Sequence, residues 1–250
     1  TDHAYPTAYA FRRFVHPWLA RHGAPLPSED PFRGDPLPVL ASIPEAISAR
    51  WPAATMLDDP AAIVARLPID HTVRAARIRG GHGPAERALH TFLDRGLDAY
   101  ERDRNDPDAA GASGFSPYLH FGHLGAHEVV AELIARDLWT PAMIETSARG
   151  SRAGWGGGAA GAFLDQLVTW RELGYNMCTH EPTYADYDSL PEWARRTLDE
   201  HASDPREHRY TLEEFAASAT HDSLWNAAQT ELRTTGVMHN YLRMLWGKKI

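Results

Sequence analysis

Apolar residues recur along this chain at steps of three and four, the spacing of one face of an α-helix. The clearest run is the last, Thr220 to Ile250. It predicts a helix from about His221 to Thr234, capped by Thr220 or Asp222 and ended by Gly236. A second helix is predicted from near Val237, with Leu242, Leu245 and Trp246 apolar. Asn240 and Arg243, three residues apart, share a neighbouring face of it, and Gly247 weakens its end. Further back, the residues from Pro84 set Ala88, Phe92, Leu93, Leu97 and Tyr100 on one stripe, with Pro84 allowed in the first turn. Near the start, AYAFRRFVHPWLARHG predicts a helix with Phe11, Val15 and Leu19 inward and Arg12 and Arg13 outward. FLDQLVTWRELGYNMC predicts another, with Gln166, Trp170 and Leu173 on one side and Arg171 and Glu172 after the tryptophan.

The punctuation between these runs is proline and glycine. Residues 25–45 hold Pro25, Pro27, Pro31, Pro36, Pro38 and Pro44, which predicts a connector without regular structure. Asp106-Pro107 and Gly111 force a turn, and Ser116 before Pro117 opens a helix. Free N–H groups and hydroxyls at such an opening suit an anion. An ordinary capped turn has the same letters. The glycine-rich stretch 149–161 (RGSRAGWGGGAAG) lacks the Gly-Lys-Ser or Gly-Lys-Thr of a phosphate loop and reads as flexible connection. Thr211 and Glu214 have capping-box spacing. No strand–glycine–helix pattern of a nucleotide-binding sheet occurs.

Composition narrows the class. A chain of 250 residues with 43% hydrophobic and 23% charged residues can bury a core of its own. Its single cysteine, Cys178, excludes an internal disulfide framework and suits a reducing compartment. No apolar run is long enough to span a bilayer, so a soluble, cytoplasmic protein is expected. The net charge of −8 argues against wholesale nucleic-acid binding. Basic clusters at 74–79, at 149–152 and at Lys248-Lys249 leave room for local DNA contacts, although a solvated face has the same letters. Fourteen histidines raise the question of a metal, but there is no His-Glu-x-x-His and no Cys/His cluster. No metal site is expected. A serine hydrolase lacks its Gly-x-Ser-x-Gly turn.

The order of particular motifs is more specific. THDSLWNAAQ at 220–229, GVMH at 236–239 and YLRMLWGKKI at 241–250 resemble, almost letter for letter, the FAD-binding catalytic domain of DNA photolyases. Class II cyclobutane-dimer photolyases are the nearest subtype, although Asn240 after the histidine is a class I feature. RNDP at 104–107 with SPYLHFG at 116–122 resembles that family's diphosphate loop. FLDQLVTWREL at 163–173 resembles its FLEEL-x-x-WREL helix, and 180–215 matches its connecting segment, assigned to scaffold. The likeness reaches back to about residue 68 and weakly to residue 1.

The resemblance implies an all-α fold, an irregular multi-helix FAD-binding domain without the family's α/β antenna domain. It divides the chain into 1–67, a linker and N-terminal helical region, and 68–250, the FAD-binding part, ending before the family's closing segment. Tyr100, Ser113, Ser116, Arg171, Asn240 and Arg243 are the implied FAD contacts. Trp170 and Met244 would pack against the lesion, and Trp225 and Trp246 would relay electrons. Gln166 stands where the family has an acid; glutamine can donate a hydrogen bond but cannot share a proton. Asp165 is adjacent but turned about 100° away on a helix. The implied reaction is light-driven, FAD-dependent splitting of pyrimidine dimers in UV-damaged DNA by a monomer. A cryptochrome-like photosensor, which Gln166 favours, and a non-catalytic remnant, which the ending favours, are the alternatives.

Overall fold

In the computed structural model, residues 1–23, 26–28, 32–34, 38–53, 59–71, 73 and 75–248 are described. Pro25, Pro31, Pro36, Arg74, Lys249 and Ile250 therefore lie outside the described residues. The fold is all-α, and no strand occurs among the described residues. Helix α1, Ala8–His22, starts where the Thr7 side chain accepts the Ala10 N–H at 3.2 Å. Two short helices, α2 (Glu45–Arg50) and α3 (Pro60–Val64), bury none of their residues.

The packed body begins at α4, His82–Arg95, and α5, Leu97–Asp103, which meet at Gly96. The apolar stripe from Ala85 through Leu89, Phe92, Leu93 and Leu97 to Tyr100 is buried along both. After α6 (Ser116–His120) and α7 (Ala126–Ala135), three 3-10 turns lead to α8, Gly158–Leu164. A π-helical turn, Asp165–Trp170, then joins α8 to α9, Arg171–His180. Phe92, Tyr100, Phe115 and Phe163 meet edge to face or tilted at ring distances of 4.9–6.0 Å, fixing α5 against α8. Offset aromatic pairs of this kind add to the burial energy.

The glycine-rich stretch departs from the flexible connection its composition predicts. Residues Arg152–Trp155 form a 3-10 turn and Gly158 opens α8. Gly156, Gly157 and Gly158 all have φ between 65 and 88°, a region that glycine enters without steric cost. That reversal folds Trp155 inward, where it is 1% exposed and among the largest fully buried side chains. Composition registers the glycines; only the fold shows that they serve one buried tryptophan.

The connecting segment carries α10, Glu192–Glu200, and α11, Leu212–Ala216. The capping box is formed: Thr211 Oγ1 accepts the Glu214 N–H at 3.2 Å, and Glu214 returns the contact to the Thr211 N–H at 2.7 Å. Helix α12, Ser223–Thr235, is capped by Asp222, which accepts from Leu224 and Trp225, and closes at Gly236. Helix α13, Asn240–Gly247, starts three residues later than Val237, because the His239 ring accepts the Tyr241 N–H and holds its own backbone non-helical. None of the residues of the main core cluster comes from α12 or α13.

Candidate functional site

The segment around Gln166 and Trp170 shows how the helices are locked together. Arg12 of α1 donates from Nε to Asp165 Oδ1 at 2.7 Å and from Nη2 to Oδ2 at 2.8 Å. Its Nη1 reaches the Gly150 carbonyl at 3.4 Å. Arg12 is thus buried, against the outward direction its helical position predicts. The reason is a long-range partner: Asp165 is 0% exposed, and a buried carboxylate needs a matched cation. Periodicity along α1 carries no sign of it.

His16, one turn further along α1, is buried beside this pair, 5.0 Å edge to face from the Trp155 ring. Its Nε2 makes no hydrogen bond. Gly154 is needed against it, since a Cβ there would lie 2.3 Å from His16 Nδ1. Burial lowers the His16 pKa below the ordinary 6.5, the Asp165 charge opposes this and the Arg12 charge adds to it. The fold therefore favours the neutral imidazole, a contribution fully present above the ordinary value and lost as pH falls from there through the lowered folded-state value. The thermal unfolding midpoint of wild type should therefore fall on acidification more steeply than that of His16→Gln, which has no proton to gain there. Parallel pH profiles would refute this.

The π turn from Asp165 to Trp170 sets the placement of Gln166 and Trp170. Such wide turns are rare and recur at functional sites. Gln166 is half-buried beside Asp165, and Trp170 is 50% exposed with the Arg12 guanidinium 5.9 Å from its ring. A π turn also shifts the register that four- and three-residue α-helical steps predict for Gln166, Trp170 and Leu173. Arg171 is held by its neighbours: it donates to Glu172 and to the Tyr175 hydroxyl, each at 3.3 Å, with its guanidinium over the Tyr175 ring.

Tyr100 is a core ring, 6% exposed, between Phe92 and Phe163. Burial raises the pKa of its phenol, with Arg104 acting in the opposite direction. Ser113 lines a shallow groove of about 450 Å³ with Arg87 and Arg95. Ser116 is exposed at the first residue of α6, a helix of five residues.

The third group lies on the last two helices. Trp225 and Trp246 meet edge to face with ring centroids 5.4 Å apart. Trp246 is buried and Trp225 half-buried. The ring series continues through Phe215, 5.1 Å from Trp225, to Tyr210, 5.3 Å from Phe215. Tyr210 is hydrogen-bonded to the His221 ring and accepts the His221 N–H at 2.9 Å. Asn240 is half-buried and its Oδ1 has no hydrogen-bond partner. Arg243 and Met244 are exposed, Met244 by 52%.

The structure thus brings Trp225 to Trp246, and Arg12 and Asp165 to Gln166 and Trp170. Sequence reasoning missed Arg12, His16 and Trp155, as well as Phe215 and Tyr210; for Phe215 the signal was the aromatic between the capping box and Trp225. Among the described residues, no group of three or more His, Cys, Asp or Glu is arranged to hold a metal ion, and no helix is long and apolar enough to cross a membrane. Of the basic clusters, Arg77, Arg79, Arg149, Arg152 and Lys248 are exposed.

No family model matches the chain. Curated proteins do. Deoxyribodipyrimidine photo-lyase of Methanothermobacter thermautotrophicus is 41% identical over 172 residues, covering 69% of this chain and 34% of that protein. The protein of the same name from Oryza sativa subsp. japonica is 42% identical over 160 residues, 64% of this chain and 28% of its own length. That of Potorous tridactylus is 32% identical over 187 residues, 74% and 32% respectively. The chain spans about a third of the length of the curated relatives it matches. Likeness over most of the chain to relatives of one name from archaea, plants and animals shows that it belongs to the deoxyribodipyrimidine photo-lyase family.

Proposed function

We propose that this chain is the flavin-holding part of a light-driven DNA repair lyase, with FAD as cofactor and cyclobutane pyrimidine dimers in UV-damaged DNA as substrate. The observation that carries the reading is the edge-to-face contact of Trp225 and Trp246 at 5.4 Å. Two indoles in contact, one buried and one reaching toward solvent, suit one-electron transfer between surface and interior, because indole is readily oxidised. The bland alternative is a pair of core aromatics.

The residues present fit a flavin. The Asn240 Oδ1, buried without a partner, suits an N–H donor of a heteroaromatic ring. Arg243, exposed on the same helix, and the groove lined by Arg87, Arg95 and Ser113 suit anionic phosphate oxygens. When bound, FAD supplies the light-driven one-electron chemistry. The chain's own residues bind and orient it: Asn240 accepts from the ring, and Arg243, Ser113 and Ser116 hold the phosphates. Tyr100 and Arg171 would complete the cofactor contacts that the resemblance implies. Trp170 and Met244 offer half-exposed apolar surface on which a pyrimidine pair turned out of the duplex can pack. Gln166 donates its amide N–H to a pyrimidine carbonyl.

The chain mixed with FAD and passed over a sizing column should keep bound flavin, and Asn240→Ala should keep less. The loaded chain should then restore dimer-containing oligonucleotides under blue light and not in the dark. A colourless wild-type protein sinks the cofactor reading, and flavin retention without light-dependent repair sinks the substrate reading.

A further inference from the structure

The bidentate pair of Arg12 and Asp165 sits under the face that carries Gln166 and Trp170. Asp165 is the first residue of the π turn and Trp170 the last. Arg12 therefore touches both ends: its fork holds the Asp165 carboxylate, and its guanidinium faces the Trp170 ring from 5.9 Å. Its third contact, to the Gly150 carbonyl, ties the same guanidinium to the stretch that buries Trp155. The Trp155 indole in turn donates to Thr169 Oγ1 at 3.0 Å, inside the turn.

A half-exposed tryptophan has two side-chain torsions to settle and little packing to settle them. An arginine plane is well suited to that task, because it stacks on rings and keeps a rigid fork for a carboxylate at once. Lysine cannot do both. The wide turn matters because it is an irregular geometry that needs support from outside its own helix.

We propose that Arg12 is a positioning residue for damage recognition, holding the Asp165–Trp170 turn in register and the Trp170 ring facing the DNA lesion. The inference rests on the proposed role of Trp170 in packing against the lesion. It makes Arg12, from the N-terminal helix, part of substrate discrimination without contact with substrate.

The test is discrimination, read by fluorescence anisotropy with single-stranded DNA that does or does not contain a thymine dimer. Wild type should prefer the damaged strand. In Arg12→Lys the preference should fall about fivefold to tenfold, the size expected for coupled contacting residues, with affinity for the undamaged strand little changed. A merely structural role would weaken both strands alike. In a Trp170→Ala background, Arg12→Lys should change the preference no further. Removing one buried charge alone can unfold a protein, so the neutral pair Arg12→Gln with Asp165→Asn provides a second variant without a stranded charge. It should lose preference as Arg12→Lys does. A wild-type preference that survives in both variants overturns this inference alone. A wild-type protein with no preference overturns the functional reading and the inference with it.

Discussion

Trp155→Ala is expected to lower the unfolding free energy by about 3–5 kcal/mol, the usual range for truncating a buried tryptophan. Trp155 contributes more than area. Its indole N–H donates to Thr169 Oγ1 at 3.0 Å, whereas the bond that its backbone carbonyl accepts from the Trp139 indole is one alanine can keep. The His16 and Trp139 rings lie 5.0 and 5.9 Å from it. Alanine leaves the Thr169 hydroxyl buried without its donor as well as a cavity. For a chain of this size the unfolding midpoint should fall by roughly 2–4 °C per kcal/mol, so a drop near 10 °C is expected in a circular-dichroism melt. Trp170→Ala, at a half-exposed position, is the control and should stay within about 1 kcal/mol of wild type. Equal losses in the two variants would mean that the glycine-rich stretch does not hold Trp155 inward.

Trp246→Phe should slow light-driven reduction of oxidised flavin in the loaded chain by about tenfold or more, a barrier increase of at least about 1.4 kcal/mol. The reason is chemical: phenylalanine keeps an aromatic ring against Trp225 but is far harder to oxidise. Flavin content, measured by absorbance after the sizing column, should be unchanged. Trp225→Phe should behave alike, since its ring occupies the other side of the 5.4 Å contact. Photoreduction at the parental rate in both variants would leave the pair as packing residues only.

The helices were legible because they are amphipathic. The stripe of Phe92, Leu93, Leu97 and Tyr100, the Asp222 cap, Gly236 and the Thr211/Glu214 box are local signals, and each is where its spacing puts it. What escaped is non-local. Arg12 on a helix face reads as solvent-facing until Asp165, 153 residues away, appears beneath it. Three consecutive glycines read as slack until they are seen turning Trp155 inward. The π turn hides because its letters suit an α-helix equally well. Of the candidate site, Trp225 and Trp246 are the two residues that the structure brings into ring contact, 5.4 Å apart.

The absence of α12 and α13 from the main core cluster has an energetic consequence. Segments with little shared apolar burial separate at a fraction of the global unfolding cost, so their amides exchange with solvent through local opening. Asn240 and Arg243 stand on such a segment. A ligand that binds only their closed arrangement must supply part of the free energy that keeps it closed. Its measured affinity is lower by that amount, and its binding slows hydrogen exchange in these two helices more than in α4 or α8.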